Sequence, residues 1–374
     1  MYRIPLVDLH RQYSALKTEI DRAIQSVLDG CDFVMGAAVC EFEAQLCEYL
    51  GVKFAVGCAS GTDALQIALM ALGIGPGDEV ITSPFAFVAT TETIVLLGAR
   101  PVYVDIDPRT YNIDANQIAG RVTSRTKVII PVHLFGQPSD MAPILSVAGH
   151  NGLRVIEDTS QAIGAQYNHQ TAGTLGDVGT LSFYPSKNLG AYGDAGAIVS
   201  NNPALAEKCR LVSLHGSRVR YQHEILGVNS RLDSLQAAVL KTKLRHLEDW
   251  TRARRRIARR YDEALSELDL TIPYCAPSSW HVYHLYSIRT AQRDALAEFL
   301  EQKGIAHGIY YPIPLHLQPA YQRFAEAEGQ FPVAETVAKE IISLPIFPEL
   351  EDREIDFVSS ALAEFCGKRS HSRG

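Results

Sequence analysis

The sequence predicts an α/β protein built on a mostly parallel sheet that is covered on both faces. Three observations carry that reading. Short apolar runs at Phe54–Cys58, Glu79–Thr82, Pro101–Val104, Lys127–Val132 and Arg154–Ile156 alternate with segments of helical spacing, which is the rhythm of repeated βαβ units. A polar helix start, Ser60-Gly61-Thr62-Asp63, follows the first run, and an acidic pair, Glu157-Asp158, follows the fifth. In such sheets ligands bind beyond the carboxyl ends of the strands, so the residues just after each run are the ones to examine.

The whole-chain totals bound the function. With 374 residues the chain can bury a full core, and it is expected to divide into two domains. Residues 1–250 would hold the N-terminal helices and a large α/β domain, 251–366 a smaller C-terminal α+β domain, and 367–374 a disordered tail. A composition of 47% hydrophobic and 21% charged residues is that of an ordinary globular protein. A net charge of -7 gives no reason to expect nucleic acid or an anionic membrane as a partner. The seven cysteines are odd in number and lack any C-x-x-C pair, which argues for reduced thiols and against a disulfide framework or a metal site. The first residues have no long apolar core, and no apolar run approaches the roughly 20 residues of a membrane span. The expectation is a cytoplasmic protein with no membrane partner.

Taken in order, Tyr13 to Leu28 carries Leu16, Ile20, Ile24, Val27 and Leu28 at helical spacing, with Gly30 as a stop. A second helix is expected from Val39 to Leu50, closed by Gly51. After the first strand, Ser60, Gly61 and Thr62 open the helical stretch ALQIALMAL; this start is either an N-cap or a phosphate site, since hydroxyls and helix N–H groups serve both. The glycines of Gly73 to Val80 precede a strand and read as a turn, and no G-x-G-x-x-G opens a helix, which weakens a dinucleotide reading. Phe85 and Phe87 are either both core or one lies against a flat ligand. Acids directly after a buried strand, here Glu157 and Asp158, are costly to desolvate and call for a cation or hydrogen bonds.

The segment GTLSFYPSKNLGAYGDAGAIVS, Gly179 to Ser200, sets one lysine between an apolar run and three glycines, Gly190, Gly193 and Gly196. An ammonium in an apolar setting loses its preference for the charged form and becomes a usable nucleophile. Beyond it, helices are expected at Pro203 to Leu214 and Leu232 to Trp250, and Arg252 to Arg260 reads as a solvated helix face. The long connection His215 to Asp233, rich in Arg, His, Tyr and Asn, is of the kind that is functional or at an interface. Strand and helix alternate again from His281, and the proline-rich Tyr310 to Tyr321 reads as a rigid loop.

A lysine nucleophile, an acid at a strand end, a Ser/Gly/Thr helix start and an aromatic face form a consistent set for pyridoxal phosphate. The lysine forms a Schiff base, the carboxylate pairs with the pyridine nitrogen, and the helix start takes the phosphate. The stretches GTDALQIAL, PVHLFGQPSDM, EDTSQAIGA, SFYPSKNLGAYGDAGA, GVNSRLDSLQAAVL and SLPIFPEL resemble the DegT/DnrJ/EryC1/StrS nucleotide-sugar aminotransferases. The resemblance runs from the first helix to about Phe365 and implies fold type I of the pyridoxal phosphate enzymes. It implies that Lys187 carries the cofactor, that Asp158 pairs with its ring nitrogen, that Gln161 sits by its phenolic oxygen and that Phe87 stacks on it. Gly61, Thr62 and Ser182 would hold the phosphate, with Asn229 reaching across from the second subunit of a homodimer with shared active sites. L-glutamate would give the amino group, leaving as 2-oxoglutarate, and pyridoxamine phosphate would carry it to a nucleotide-linked keto sugar. A lysine at 187, where the family's dehydratase branch has histidine, implies transamination.

Among relatives, GTDALQIALMALGIGPGDEVIT, PVYVDIDPRTYN and YYPIPLHLQPAY look most like enzymes that aminate C3 of UDP-2-acetamido-2-deoxy-3-oxo-glucuronate for a surface polysaccharide such as lipopolysaccharide O-antigen. Arg231 is the candidate for the uronate carboxylate, because a guanidinium holds a carboxylate bidentately. A dTDP-3-keto-6-deoxyhexose as substrate, or C4 amination giving a 4-amino-4,6-dideoxy sugar, are the alternatives, and a regulator without catalysis is a third reading. His215, His223, Tyr221, His284, Tyr311 and His316 either line the sugar site or are only packed.

Overall fold

A computed structural model of the chain describes residues 3–324 and 327–370. Two helices lead in, α1 (Leu9–Gly30) and α2 (Ala37–Leu50). α1 starts earlier than its apolar spacing suggests because Asp8 caps it, accepting from the N–H groups of His10 and Arg11 at 3.0 Å.

Seven strands then form one sheet: β1 (Phe54–Cys58), β2 (Glu79–Thr82), β3 (Arg100–Tyr103), β4 (Thr126–Ile130), β5 (Arg154–Asp158), β6 (Val178–Ser182) and β7 (Gly196–Ser200). Their spatial order is β1-β7-β6-β5-β4-β2-β3. All neighbours run parallel except β7, which is antiparallel to both β1 and β6. Adjacent strand residues alternate between two apolar clusters: Val128 and Ile130 pack on one face, with α3 (Gly61–Leu72), and Ile129 on the other, with α5 (Met141–Asn151). Helices therefore cover both faces, as the near-continuous apolar strands require. The mostly parallel α/β architecture is that of fold type I. α4 (Ala89–Leu96) follows β2, and α6 (Pro203–Ser213) follows β7.

The expected helix from Leu232 to Trp250 is instead two, α7 (Ser234–Leu244) and α8 (Leu247–Leu265). They part at Arg245-His246, where the His246 N–H bonds to the Lys243 carbonyl in a tight turn. Neither Gly nor Pro marks that break. Nor is the basic run a wholly solvated face: Arg254 is buried and donates to the carbonyls of Ile346 (2.9 Å) and Tyr283 (3.2 Å). It lies on the stripe of Ile257, Tyr261 and Leu265, whose apolar cluster also contains Ile4 and reaches Phe365. That cluster gathers around the antiparallel pair β8 (Tyr286–Arg289) and β9 (Ile341–Leu344), with α9 (Arg293–Gln302) and α11 (Asp352–Ser370); α10 (Pro332–Glu340) leads into β9. α11 runs to Ser370, so residues 367–370 are helical and not the disordered tail expected from composition. Anchored by Leu362 and Phe365, the helix propagates at small further cost. Residues 371–374, the rest of that tail, lie outside the described residues. No helix among the described residues is long and apolar enough to cross a membrane.

Candidate active site

The antiparallel β7 explains one end of the site. Its first residue, Gly196, pairs with Cys58 at the end of β1 and with Ser182 at the end of β6. This draws the Ser60–Thr62 helix start against Ser182. The approach is tight: a Cβ on Gly61 would lie 2.5 Å from the Ser182 Cβ, and one on Gly196 would lie 2.3 Å from the Ser60 carbonyl oxygen. Ser60 is an N-cap, its hydroxyl accepting from the Asp63 N–H at 3.1 Å. The N–H groups of Gly61 and Thr62 have no partner among the described residues. Capping and anion binding, alternatives in the sequence, therefore fall to different atoms of one helix start.

β5 ends in Glu157 and Asp158, and successive side chains point to opposite faces. The fully buried Glu157 faces away from the other site residues. It accepts from the N–H groups of Gly173 (2.8 Å), Leu175 (2.7 Å) and Gly176 (2.6 Å) and pairs with His133 Nε2 at 2.9 Å. Asp158, also buried, accepts from Thr90 Oγ1 and the Ser160 N–H, both at 3.1 Å.

Lys187 lies in the turn between β6 and β7, its N–H donating to the Tyr184 carbonyl at 2.8 Å. Burial pushes its ammonium down to about 8, while the Asp158 carboxylate pulls in the opposite direction. The two groups are thus close enough to act on each other. Next to it, Asn188 donates to the Val282 carbonyl at 3.1 Å and presents its Oδ1 to His284 Nδ1 at 3.2 Å. Burial, then the charges of Lys187 and Arg254, push His284 well below its usual range, so it is neutral.

Gln161 links this group to the loop at 310–321. Its Oε1 accepts from the Phe135 N–H at 2.8 Å and its Nε2 donates to the Tyr311 hydroxyl at 3.1 Å. Burial raises the Tyr311 phenol; the Gln161 bond opposes that and the charge of Asp158 adds to it. The two phenylalanines separate: Phe85 is 1% exposed and in the core, whereas Phe87 is 54% exposed with its ring 6.2 Å from that of Tyr311.

Asn229 and Arg231 lie elsewhere. With Val34, Ala59, Gly193, Asp194, Asp233 and Gln236 they line a cavity of about 480 Å³ that Lys187 and Asp158 do not touch. Among the unassigned residues, His316 is wholly buried against Glu335 at 3.1 Å and is packing. His215 and His223 belong to an exposed hairpin, with His223 Nδ1 on the His215 carbonyl at 2.9 Å, and Tyr221 sits at its tip. Thr90 lies outside the residues the sequence singled out, though the run of polar residues Thr90 to Thr93 opening the helix ATTETIVL is a visible signal.

These residues fit pyridoxal phosphate. The unpartnered N–H groups beside Ser182 suit a phosphate at a helix N-terminus, a carboxylate at the end of β5 suits a protonated ring nitrogen, and a half-buried amine of lowered basicity suits covalent linkage.

Comparison with known proteins agrees. Residues 14–363 match the DegT/DnrJ/EryC1/StrS aminotransferase family. A pleiotropic regulatory protein of Geobacillus stearothermophilus is 50% identical over 97% of this chain and 98% of its own. The UDP-N-acetyl-3-dehydro-α-D-glucosamine 3-aminotransferase of Acidithiobacillus ferrooxidans is 46% identical, covering 96% and 97%. The UDP-2-acetamido-2-deoxy-3-oxo-D-glucuronate aminotransferase of Pseudomonas aeruginosa is 44% identical, covering 96% and 99%. The crystal structure of DesV from S. venezuelae, in complex with a ketimine intermediate, superposes with a TM-score of 0.96 at 42% identity, covering 98% of this chain and 99% of that one. The chain belongs to the DegT/DnrJ/EryC1/StrS aminotransferase family, pyridoxal phosphate-dependent transaminases that act on nucleotide-linked keto sugars.

Proposed function

We propose that the chain transfers an amino group from L-glutamate to the C3 ketone of UDP-2-acetamido-2-deoxy-3-oxo-D-glucuronate, for a surface polysaccharide. The observation that carries the transaminase chemistry is the placement of half-buried Lys187, in the turn between β6 and β7, close enough to the buried Asp158 carboxylate for the two to act on each other. In this reading Lys187 holds the cofactor's aldehyde carbon, Asp158 its ring nitrogen, Gln161 its phenolic oxygen and Phe87 its face. Gly61, Thr62 and Ser182 hold the phosphate. Pyridoxal phosphate, when bound, supplies an electron sink and a carrier for the amino group. Freed from that linkage, Lys187 Nζ would take the proton from Cα of glutamate and pass it to the carbon it had held, and in the second half-reaction would take one back from that carbon and deliver it to C3 of the sugar; its lowered basicity suits both directions near neutral pH.

Arg231 is assigned to the uronate carboxylate. In support, it lines a cavity roomy enough for a sugar and makes no ion pair among the described residues. Lys187 does not line that cavity, and the assignment joins with a homodimer in which Asn229 and Arg231 complete the partner's site. A cytoplasmic location and a division at about residue 250 belong to the same reading. The division is supported by the separate apolar cluster from Ile257 to Phe365, although α8 runs through it unbroken.

The test is a substrate comparison. Wild-type enzyme with L-glutamate should aminate the UDP-linked 3-oxo uronate, and Arg231→Lys should lose about tenfold or more in kcat/KM for it. Equal use of a neutral 3-keto sugar nucleotide, with Arg231→Lys unimpaired, would favour a UDP-linked neutral sugar or a dTDP-3-keto-6-deoxyhexose. Turnover only of a 4-keto sugar would make it a C4 enzyme. A regulator would aminate none of them.

A further inference from the structure

Lys243 has no part in the chemistry assigned above, yet it is 0% exposed. Removing an ammonium from water costs several kcal/mol unless its charge and hydrogen bonds are met, and an apolar side chain of similar size escapes that cost. Its partners are few and specific. Nζ donates to the Gly190 carbonyl at 2.7 Å and lies 4.5 Å from the centre of the Tyr192 ring. Burial pushes it down to about 8, against the pull of the Glu349 carboxylate.

Gly190 stands three residues beyond Lys187, in a turn that closes on itself. The Ala191 N–H donates to the Phe183 carbonyl at 2.8 Å, and a Cβ on Gly190 would meet the Pro185 carbonyl oxygen at 2.2 Å. The Gly190 carbonyl therefore cannot shift without moving the backbone that carries Lys187. α7 grips the same segment a second time: Gln236 Oε1 accepts from the Tyr192 N–H at 2.8 Å, and its Nε2 donates to the Tyr192 carbonyl at 3.4 Å. Lys243 and Gln236, seven positions apart and thus on one side of the helix, hold the two ends of Gly190–Tyr192.

We infer that Lys243 is a positioning residue for Lys187: through the Gly190 carbonyl it fixes the turn from which Lys187 reaches the cofactor, and Gln236 secures the far end. The inference rests on the reading in which Lys187 carries the cofactor.

Three variants of the full chain test it: Lys243→Met, Gln236→Ala and Lys187→Ala. Lys243→Met keeps the bulk and loses the donor. It should fold and bind pyridoxal phosphate, lose about tenfold to a hundredfold in kcat, hold KM for glutamate within about twofold, and show less of the lysine-linked cofactor absorbance. Gln236→Ala should show the same pattern more weakly. If Lys243→Met lowers Tm but leaves kcat and the spectrum unchanged, the residue is only structural and the inference is wrong. Should Lys243→Met fail to fold, Gln236→Ala decides, since wild-type kcat and spectrum there would refute the clamp. Lys187→Ala separates the two claims, because a retained lysine-linked band in it would overturn the reading of Lys187 itself.

Discussion

Gly61 and Ser182 meet so closely that a Cβ built on Gly61 would lie 2.5 Å from the Ser182 Cβ. Gly61→Ala must therefore displace either the helix start or the end of β6, and with it the two unpartnered N–H groups. Losing one hydrogen bond to a charged group is worth about 1.5–3 kcal/mol, or about tenfold to a hundredfold in affinity. A folded Gly61→Ala with that loss in a spectral titration of the apoenzyme with pyridoxal phosphate is the expected outcome. Unchanged affinity would take the phosphate out of this recess.

Asp158→Asn keeps the shape of the β5 terminus and removes its charge. Transamination should fall by about a hundredfold or more, the scale of a lost preorganised charge. Thr90→Val removes only one hydrogen bond to the same carboxylate, worth about 1 kcal/mol and so about fivefold. Steady-state kinetics of both variants give the ranking; a larger loss in Thr90→Val would place the important contact on the hydroxyl.

The depressed Lys187 predicts a pH profile. Burial lowers it from 10.5 to about 8, so the neutral amine needed for covalent capture accumulates as pH rises through about 8. Stopped-flow capture of pyridoxal phosphate by the apoenzyme should follow that midpoint. Between about 8 and 10.5 the folded state binds fewer protons at this site than the unfolded chain, so apoenzyme stability from Lys187 rises with pH across that window. Lys187→Met should lack that contribution. A capture midpoint near 10.5 would mean that the lysine is not desolvated.

Glu157 and Asp158 are neighbours in sequence and opposite in role. Glu157→Ala would strand three N–H groups, that of Gly173 buried and those of Leu175 and Gly176 partly buried, at up to about 1–3 kcal/mol each. The expected result is a marked fall in Tm, with catalysis per folded molecule nearly intact. Asp158→Asn should show the reverse, and thermal melts beside kinetics check the pair.

Much of this was legible in the chain. The five expected strands, the helix start at Gly61 and the acids ending β5 follow from apolar runs and what succeeds them. The antiparallel β7 was not, since nothing local in Gly196–Ser200 distinguishes its direction. Yet β7 is what brings Gly61 to Ser182. The break between α7 and α8 carries no Gly or Pro and depends on packing, as does the burial of Arg254 within a basic run. Phe85 and Phe87 could not be told apart because two residues apart on an irregular segment fixes no face. The contacts of Thr90, Tyr311 and Lys243 join positions 68, 150 and 53 residues apart, separations that no local pattern reports.

The most direct measurement is the absorbance spectrum of the purified wild-type protein and of Lys187→Ala, before and after L-glutamate. Wild type should be yellow and lose that band on adding glutamate, releasing 2-oxoglutarate, while Lys187→Ala should lack the lysine-linked band from the start. A wild-type band unmoved by glutamate would contradict the proposed donor, and the same band in Lys187→Ala would contradict the assignment of Lys187 at the centre of the site.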